Sequence, residues 1–156
     1  MTNRTKYLAT LAAAVGALAL PLLAGGDSAA GGASKDHVTG SVRYAPANAQ
    51  AWVSAHSDAD GANAYGRFRL VQGSQEWRCR VTCLSVNGNR AIVGGEVLRR
   101  DGSVSGGFYQ FIEDNGSPGT TDRSVTRFLS QPPTDCNVTF VNGLQVTGGN
   151  YVVQDN

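Results

Sequence analysis

The sequence predicts an all-β protein: an antiparallel meander of about eight or nine short strands, closed or nearly closed into a β-barrel, with a β-sandwich as the alternative. Three observations predict it. Apolar and polar residues alternate in short runs, most clearly from Trp77 to Gly95. Turn-forming clusters such as Gly73-Ser74, Asn87-Gly88-Asn89, Asp101-Gly102 and Asn142-Gly143 separate the runs at hairpin spacing. No stretch beyond residue 30 shows a useful length of helical periodicity. Sequential hairpins favour a meander, and a barrel of this strand count has room for filling side chains or one small ligand.

Residues 1–30 read as a secretory signal peptide. Arg4 and Lys6 form a basic start, and Leu8 to Ala24 is a run of apolar and small residues broken only by Pro21. The run is short for a membrane span and lacks a basic stop-transfer flank. Ser28-Ala29-Ala30 is the best cleavage site, and Leu22-Leu23-Ala24-Gly25-Gly26 has glycine where a lipoprotein box needs cysteine. The expectation is therefore a secreted, extracellular chain without a stable membrane anchor. Residues 31–36 form a flexible leader and residues 37–156 a single all-β domain.

Within that domain, His37 to Tyr44 and Ala51 to His56 read as the first two strands, joined by a loop containing Pro46. Ala64 to Gln72 is the third, followed by Gly73-Ser74, a type II′ signal. That turn sets a register in which Leu70 faces Trp77, Phe68 faces Cys79 and Gly66 faces Val81 on the inner side. On the outer side it opposes Arg69 to Arg78 and Arg67 to Arg80. Leu84 and Val86 continue the apolar pattern out of phase, which predicts a β-bulge at Cys83-Leu84. After a three-residue loop at Asn87-Gly88-Asn89, Arg90 to Arg99 returns, with Gly94-Gly95 marking a bend. Val104 to Glu113, Asp122 to Leu129, Cys136 to Val141 and Leu144 to Val153 complete the strands, and Pro132-Pro133 ends the run before Cys136.

Without the signal segment the chain carries 11 basic and 11 acidic residues. Neutrality argues against a nucleic-acid partner. In an oxidising compartment Cys79, Cys83 and Cys136 make one disulfide and leave one thiol. Cys79 and Cys83 on one strand would be about 13 Å apart, beyond disulfide reach. The bridge must then use Cys136, with either Cys79 or Cys83 as its partner. No C-x-x-C pair or nearby histidine suggests zinc, and no cofactor is expected.

Val81-x-Cys83-Leu84-x-Val86-x-Gly88-Asn89-x-Ala91, Asp114-Asn115-Gly116-x-Pro118-Gly119 and Gly148-Gly149-Asn150-Tyr151-x-Val153 together resemble the post-COAP domain, an exported bacterial β-domain of unknown function. The resemblance covers nearly the whole domain. It implies a disulfide between Cys83 and Cys136, with Cys79 as an extra thiol, and implies no catalytic or binding residues.

Four arginines, Arg67, Arg69, Arg78 and Arg80, form the candidate anion-binding cluster, because like charges opposed across strands are unfavourable without a counter-ion. Glu76 at the same hairpin and Glu96 opposite Arg80 supply an intramolecular alternative. Asp58-x-Asp60-Gly61 and Asp114-Asn115-Gly116 read as turns, since an EF-hand register would put His56 and Arg67 at ligand positions. His37 and His56 are the only neutral-pH bases, and no catalytic motif surrounds them. Trp52, Trp77, Phe68, Phe108, Phe111 and Phe140 are expected in the core. The expected function is a non-enzymatic structural or interaction module, with an anionic surface polymer or another extracellular protein as partner. A small-ligand carrier barrel is the second reading and a secreted hydrolase the third.

Overall fold

A computed structural model describes residues 35–156 apart from Pro46, so the expected signal peptide and most of the leader lie outside the described residues. The described chain is all-β. Its strands are β1 (Lys35–Tyr44), β2 (Ala49–Asp58), β3 (Tyr65–Gln72), β4 (Gln75–Asn87), β5 (Arg90–Leu98), β6 (Val104–Glu113), β7 (Arg123–Leu129), β8 (Leu144–Gln145) and β9 (Gly148–Gln154). The first strand thus begins two residues inside the segment expected to be leader. Among the described residues no helix is long and apolar enough to cross a membrane.

All nine strands form one antiparallel sheet in the order β8-β7-β6-β5-β4-β3-β2-β1-β9. The two edge strands are separated in sequence only by Val146 and Thr147. Laid flat, strands about 4.8 Å apart would hold the edges nearly 40 Å from one another, whereas three Cα steps span at most about 11 Å. The sheet must therefore curl, and it forms a half-barrel. Val146 N–H donates to the Asp122 carbonyl at 3.0 Å, and Thr147 N–H donates to the Arg43 carbonyl at 2.8 Å, so the connecting residues tie β7's approach to β1.

Period-two alternation places Val38, Val42, Val53, Phe68, Leu70, Cys79, Val81, Leu84, Val93, Phe108, Ile112 and Tyr151 on the concave side. The Phe68 and Phe108 rings stack there with centroids 5.0 Å apart. The expected β3–β4 register is present, with Leu70 opposite Trp77, Phe68 opposite Cys79 and Gly66 opposite Val81. Gly73 has φ +58°, as the first position of a type II′ turn requires.

Three details differ from the sequence expectation. The β4–β5 register shifts between Val81 and Cys83, so Thr82 is the extra residue and the bulge precedes Cys83-Leu84. The Asn87–Asn89 turn is tighter than expected, with Asn87 paired to Arg90; the bulge supplies the shift that still brings Arg80 opposite Glu96. Cys136 to Val141 is not a strand, and the final run divides into β8 and β9 around Val146. That irregular segment packs instead on the convex side. There Cys83, Ile92, Phe111 and Cys136 form a second apolar cluster with Phe140 and Val141.

Candidate functional site

The convex face of β9-β1-β2-β3-β4-β5 is where the sequence-singled side chains meet. Register sets them in rows across the strands. One row runs Gln154, His37, His56, Tyr65; the next runs Val152, Thr39, Ser54, Arg67, Arg80, Glu96; a third runs Asn150, Ser41, Trp52, Arg69, Arg78, Leu98. Trp52 therefore belongs to this outer face and not to the core: it is half-buried under Arg69, whose guanidinium carbon lies 4.7 Å from the ring centroid. Trp77 sits half-buried at the rim, stacked on Phe128 at 5.1 Å, and Phe111 and Phe140 belong to the convex cluster. Of the six aromatic residues expected inside, only Phe68 and Phe108 are fully in the concave core.

The predicted arginine oppositions are both present, but the four charges are not equivalent. Glu76 Oε1 accepts from Arg69 Nε at 2.7 Å and from Arg78 Nε at 3.0 Å. These hydrogen bonds, that from Arg78 the stronger influence, hold the Glu76 carboxyl below the usual range. Glu96 Oε2 accepts from Arg80 Nε at 2.7 Å. Arg67 is exposed, faces Arg80 and makes no ion pair among the described residues. Arg67, Arg69, Arg78 and Arg80 line a shallow groove of about 690 Å³ with Glu76 and Leu98. The cluster is thus a half-neutralised cationic face with one uncommitted guanidinium.

The structure pairs Cys83 with Cys136, with Cα atoms 5.5 Å apart. The bulge at Thr82 turns Cys83 outward while Cys79 points into the concave core. Two cysteines that strict alternation puts on one face end on opposite faces. Burial pushes the Cys79 thiol up to about 12, which leaves it protonated and unreactive. Gly94 makes room for the bridge: a Cβ there would lie 2.6 Å from Cys83 Sγ and 2.9 Å from Cys136 Sγ.

The turn carboxylates are engaged within the chain, mostly by backbone N–H groups. Asp60 accepts from Ala62 N–H at 2.9 Å, and Asp58 accepts from the Asn63 side chain at 2.7 Å. Asp114 accepts from Gly116 N–H at 2.8 Å and Val153 N–H at 3.0 Å, while Asp122 accepts from Asn115 N–H and Tyr151 N–H, both at 2.9 Å. Asp114 and Asp122 thereby satisfy the free edge of β9 with side chains where no neighbouring strand does. Inside the half-barrel the polar atoms answer one another: Tyr44 Oη bonds Ser124 Oγ, Tyr151 Oη lies 3.0 Å from Tyr44 Oη, and Gln110 Nε2 donates to both phenols at 3.3 and 3.4 Å. Sequence alternation gave no sign of this network, because its members come from four strands.

His37 and His56, far apart in sequence, are directly opposed on β1 and β2. His56 Nε2 lies 3.4 Å from Ser54 Oγ, two positions away on the same strand face. Among the described residues no carboxylate hydrogen-bonds either ring. No family model, no curated protein and no solved structure matches the chain.

Proposed function

We propose that the chain is an exported, non-enzymatic interaction module that presents its convex face to an anionic surface polymer. The observation that carries this reading is Arg67: an exposed guanidinium opposed to Arg80, without an acid of its own among the described residues, in a groove already lined by three further arginines. A phosphate or carboxylate placed there relieves a like-charge opposition that costs some tenths of a kcal/mol across a strand pair. The concave side supports a surface function over a carrier. Phe68, Phe108, Ile112 and Tyr151 are buried in it, and its hydroxyls and amide are bonded to one another. A carrier lumen would instead turn convergent polar groups toward a vacant space of several hundred Å³.

The test is retention of the chain on beads bearing a phosphate polymer or an acidic polysaccharide, compared with a neutral polysaccharide. Binding to the anionic beads that weakens with added salt and with Arg67→Gln supports the reading. Equal retention on neutral beads, or none on any, overturns it.

A further inference from the structure

We infer that His37 and His56 form an exchangeable two-imidazole site for a divalent transition-metal cation, preferring Cu²⁺, on the convex face. The two residues are register partners on adjacent antiparallel strands, and their ring centroids are 6.0 Å apart with an interplanar angle of 29°. Directly opposed side chains leave β-carbons about 4.5–5.5 Å apart. Two nitrogens each about 2.0–2.1 Å from a shared metal lie roughly 3–4 Å from one another, a separation that rotation about the side-chain bonds reaches without moving backbone. Strand pairing has already fixed the two ligands on one face.

The surroundings leave those nitrogens available. His56 Nε2 has only the 3.4 Å contact to Ser54 Oγ, and no other side-chain hydrogen bond engages either ring among the described residues. Both residues are half-buried. The same row brings Gln154 beside His37 and Tyr65 beside His56, the Tyr65 ring stacked at 5.3 Å. A glutamine and a tyrosine thus flank the pair in register. Two nitrogen donors and water in the remaining positions describe an open site, unlike the closed four-ligand shells of structural zinc. Imidazole selects Cu²⁺, Ni²⁺ and Zn²⁺ over Mg²⁺ and Ca²⁺, and the divalent series places Cu²⁺ highest. Arg67, diagonal to His56, opposes a bound cation and keeps it exchangeable. Cys79 cannot contribute, since it points into the core on the other side of the sheet.

The site is independent of the anionic-polymer reading, and its test uses metal alone. The untagged chain is titrated calorimetrically with Cu²⁺, Ni²⁺, Zn²⁺ and Ca²⁺, alongside His37→Gln, His56→Gln and Tyr65→Phe, with melting curves of each protein in the absence of metal as the folding control. The expected result is one Cu²⁺ per chain, weaker Ni²⁺ and Zn²⁺, no Ca²⁺, and a metal-dependent rise in melting temperature. Outer-shell partners alone are worth ten- to a hundredfold in metal affinity, so losing either histidine weakens Cu²⁺ by at least about tenfold. Tyr65→Phe stays close to wild type. Absence of Cu²⁺ binding, or binding that survives both histidine substitutions in folded protein, overturns the inference.

Discussion

Asp122 does at residue scale what a neighbouring strand does elsewhere in the sheet, accepting the Tyr151 N–H from inside the fold. Burial pushes its carboxyl up, against the two backbone N–H groups that favour the charged form and with the Asp114 charge adding to the rise. Replacing it by alanine strands the buried Tyr151 N–H and is expected to cost about 1–3 kcal/mol in denaturant unfolding. Its raised pKa fixes the sign of a second effect. The folded state binds this proton more readily than the unfolded chain, so the contribution is complete below the ordinary aspartate range and is lost as pH rises through the raised value. Wild-type stability minus that of Asp122→Asn should therefore fall as pH increases across that window. Cys79 gives a sharper readout. With its thiol buried and raised to about 12, the native chain should show no rapidly reacting thiol, and one after unfolding without reductant. Asp122's role was not legible in the sequence, where it appears only as the start of a strand after a turn; the strand edge it serves is defined by β9, far downstream. The thiol count was legible, and so was the inner side of the sheet that Cys79 occupies; the outward turn of Cys83 was not.

At the scale of elements, the β3–β4 hairpin was legible in register because a two-residue glycine-first turn leaves one pairing open to it. The β4–β5 pair was legible in outline only. Leu84 and Val86 revealed that the phase slips, but alternation cannot say whether Thr82 or Cys83 is the extra residue. The answer decides whether Cys83 faces outward. Past Pro132-Pro133 the alternating pattern failed altogether: Cys136, Phe140 and Val141 are apolar because they cover the convex face, not because they lie in a ladder. Their anchor is the Cys83–Cys136 bridge, which spans 53 positions. A loop of that size corresponds to about 4 kcal/mol in the chain-entropy description. Cys136→Ser should lower unfolding stability by about 2–4 kcal/mol and release the segment around Phe140 to proteolysis while leaving the β-sheet spectrum in place. Gly94→Ala should weaken the same attachment, since its methyl group meets both sulfurs. The His37–His56 opposition belongs to this scale too. It follows from the β1–β2 register, which the loop sequence around Pro46 does not specify.

For the whole molecule, the order of strands follows the order of hairpins, so the all-β meander could be read from alternation and turns alone. Curling could be anticipated from strand count. The bridges between the sheet edges could not, because none of Val146, Thr147, Asp114 and Asp122 carries a local signal for that task. The curl divides the chemistry: aromatic and aliphatic bulk inside, arginines, histidines and exposed Tyr65 outside. The candidate anion site was legible as four arginines, and so were its two acids, Glu76 and Glu96; what was not legible is that Glu76 engages two arginines, Glu96 a third, and neither engages Arg67. That balance makes opposite predictions for two neighbours. Binding isotherms for a soluble acidic polymer at low salt, measured for wild type, Arg67→Gln and Glu76→Gln, test the surface reading most directly. Arg67→Gln should weaken binding, and Glu76→Gln should tighten it by releasing Arg69 and Arg78; three superimposable isotherms, or no binding in any, would contradict it.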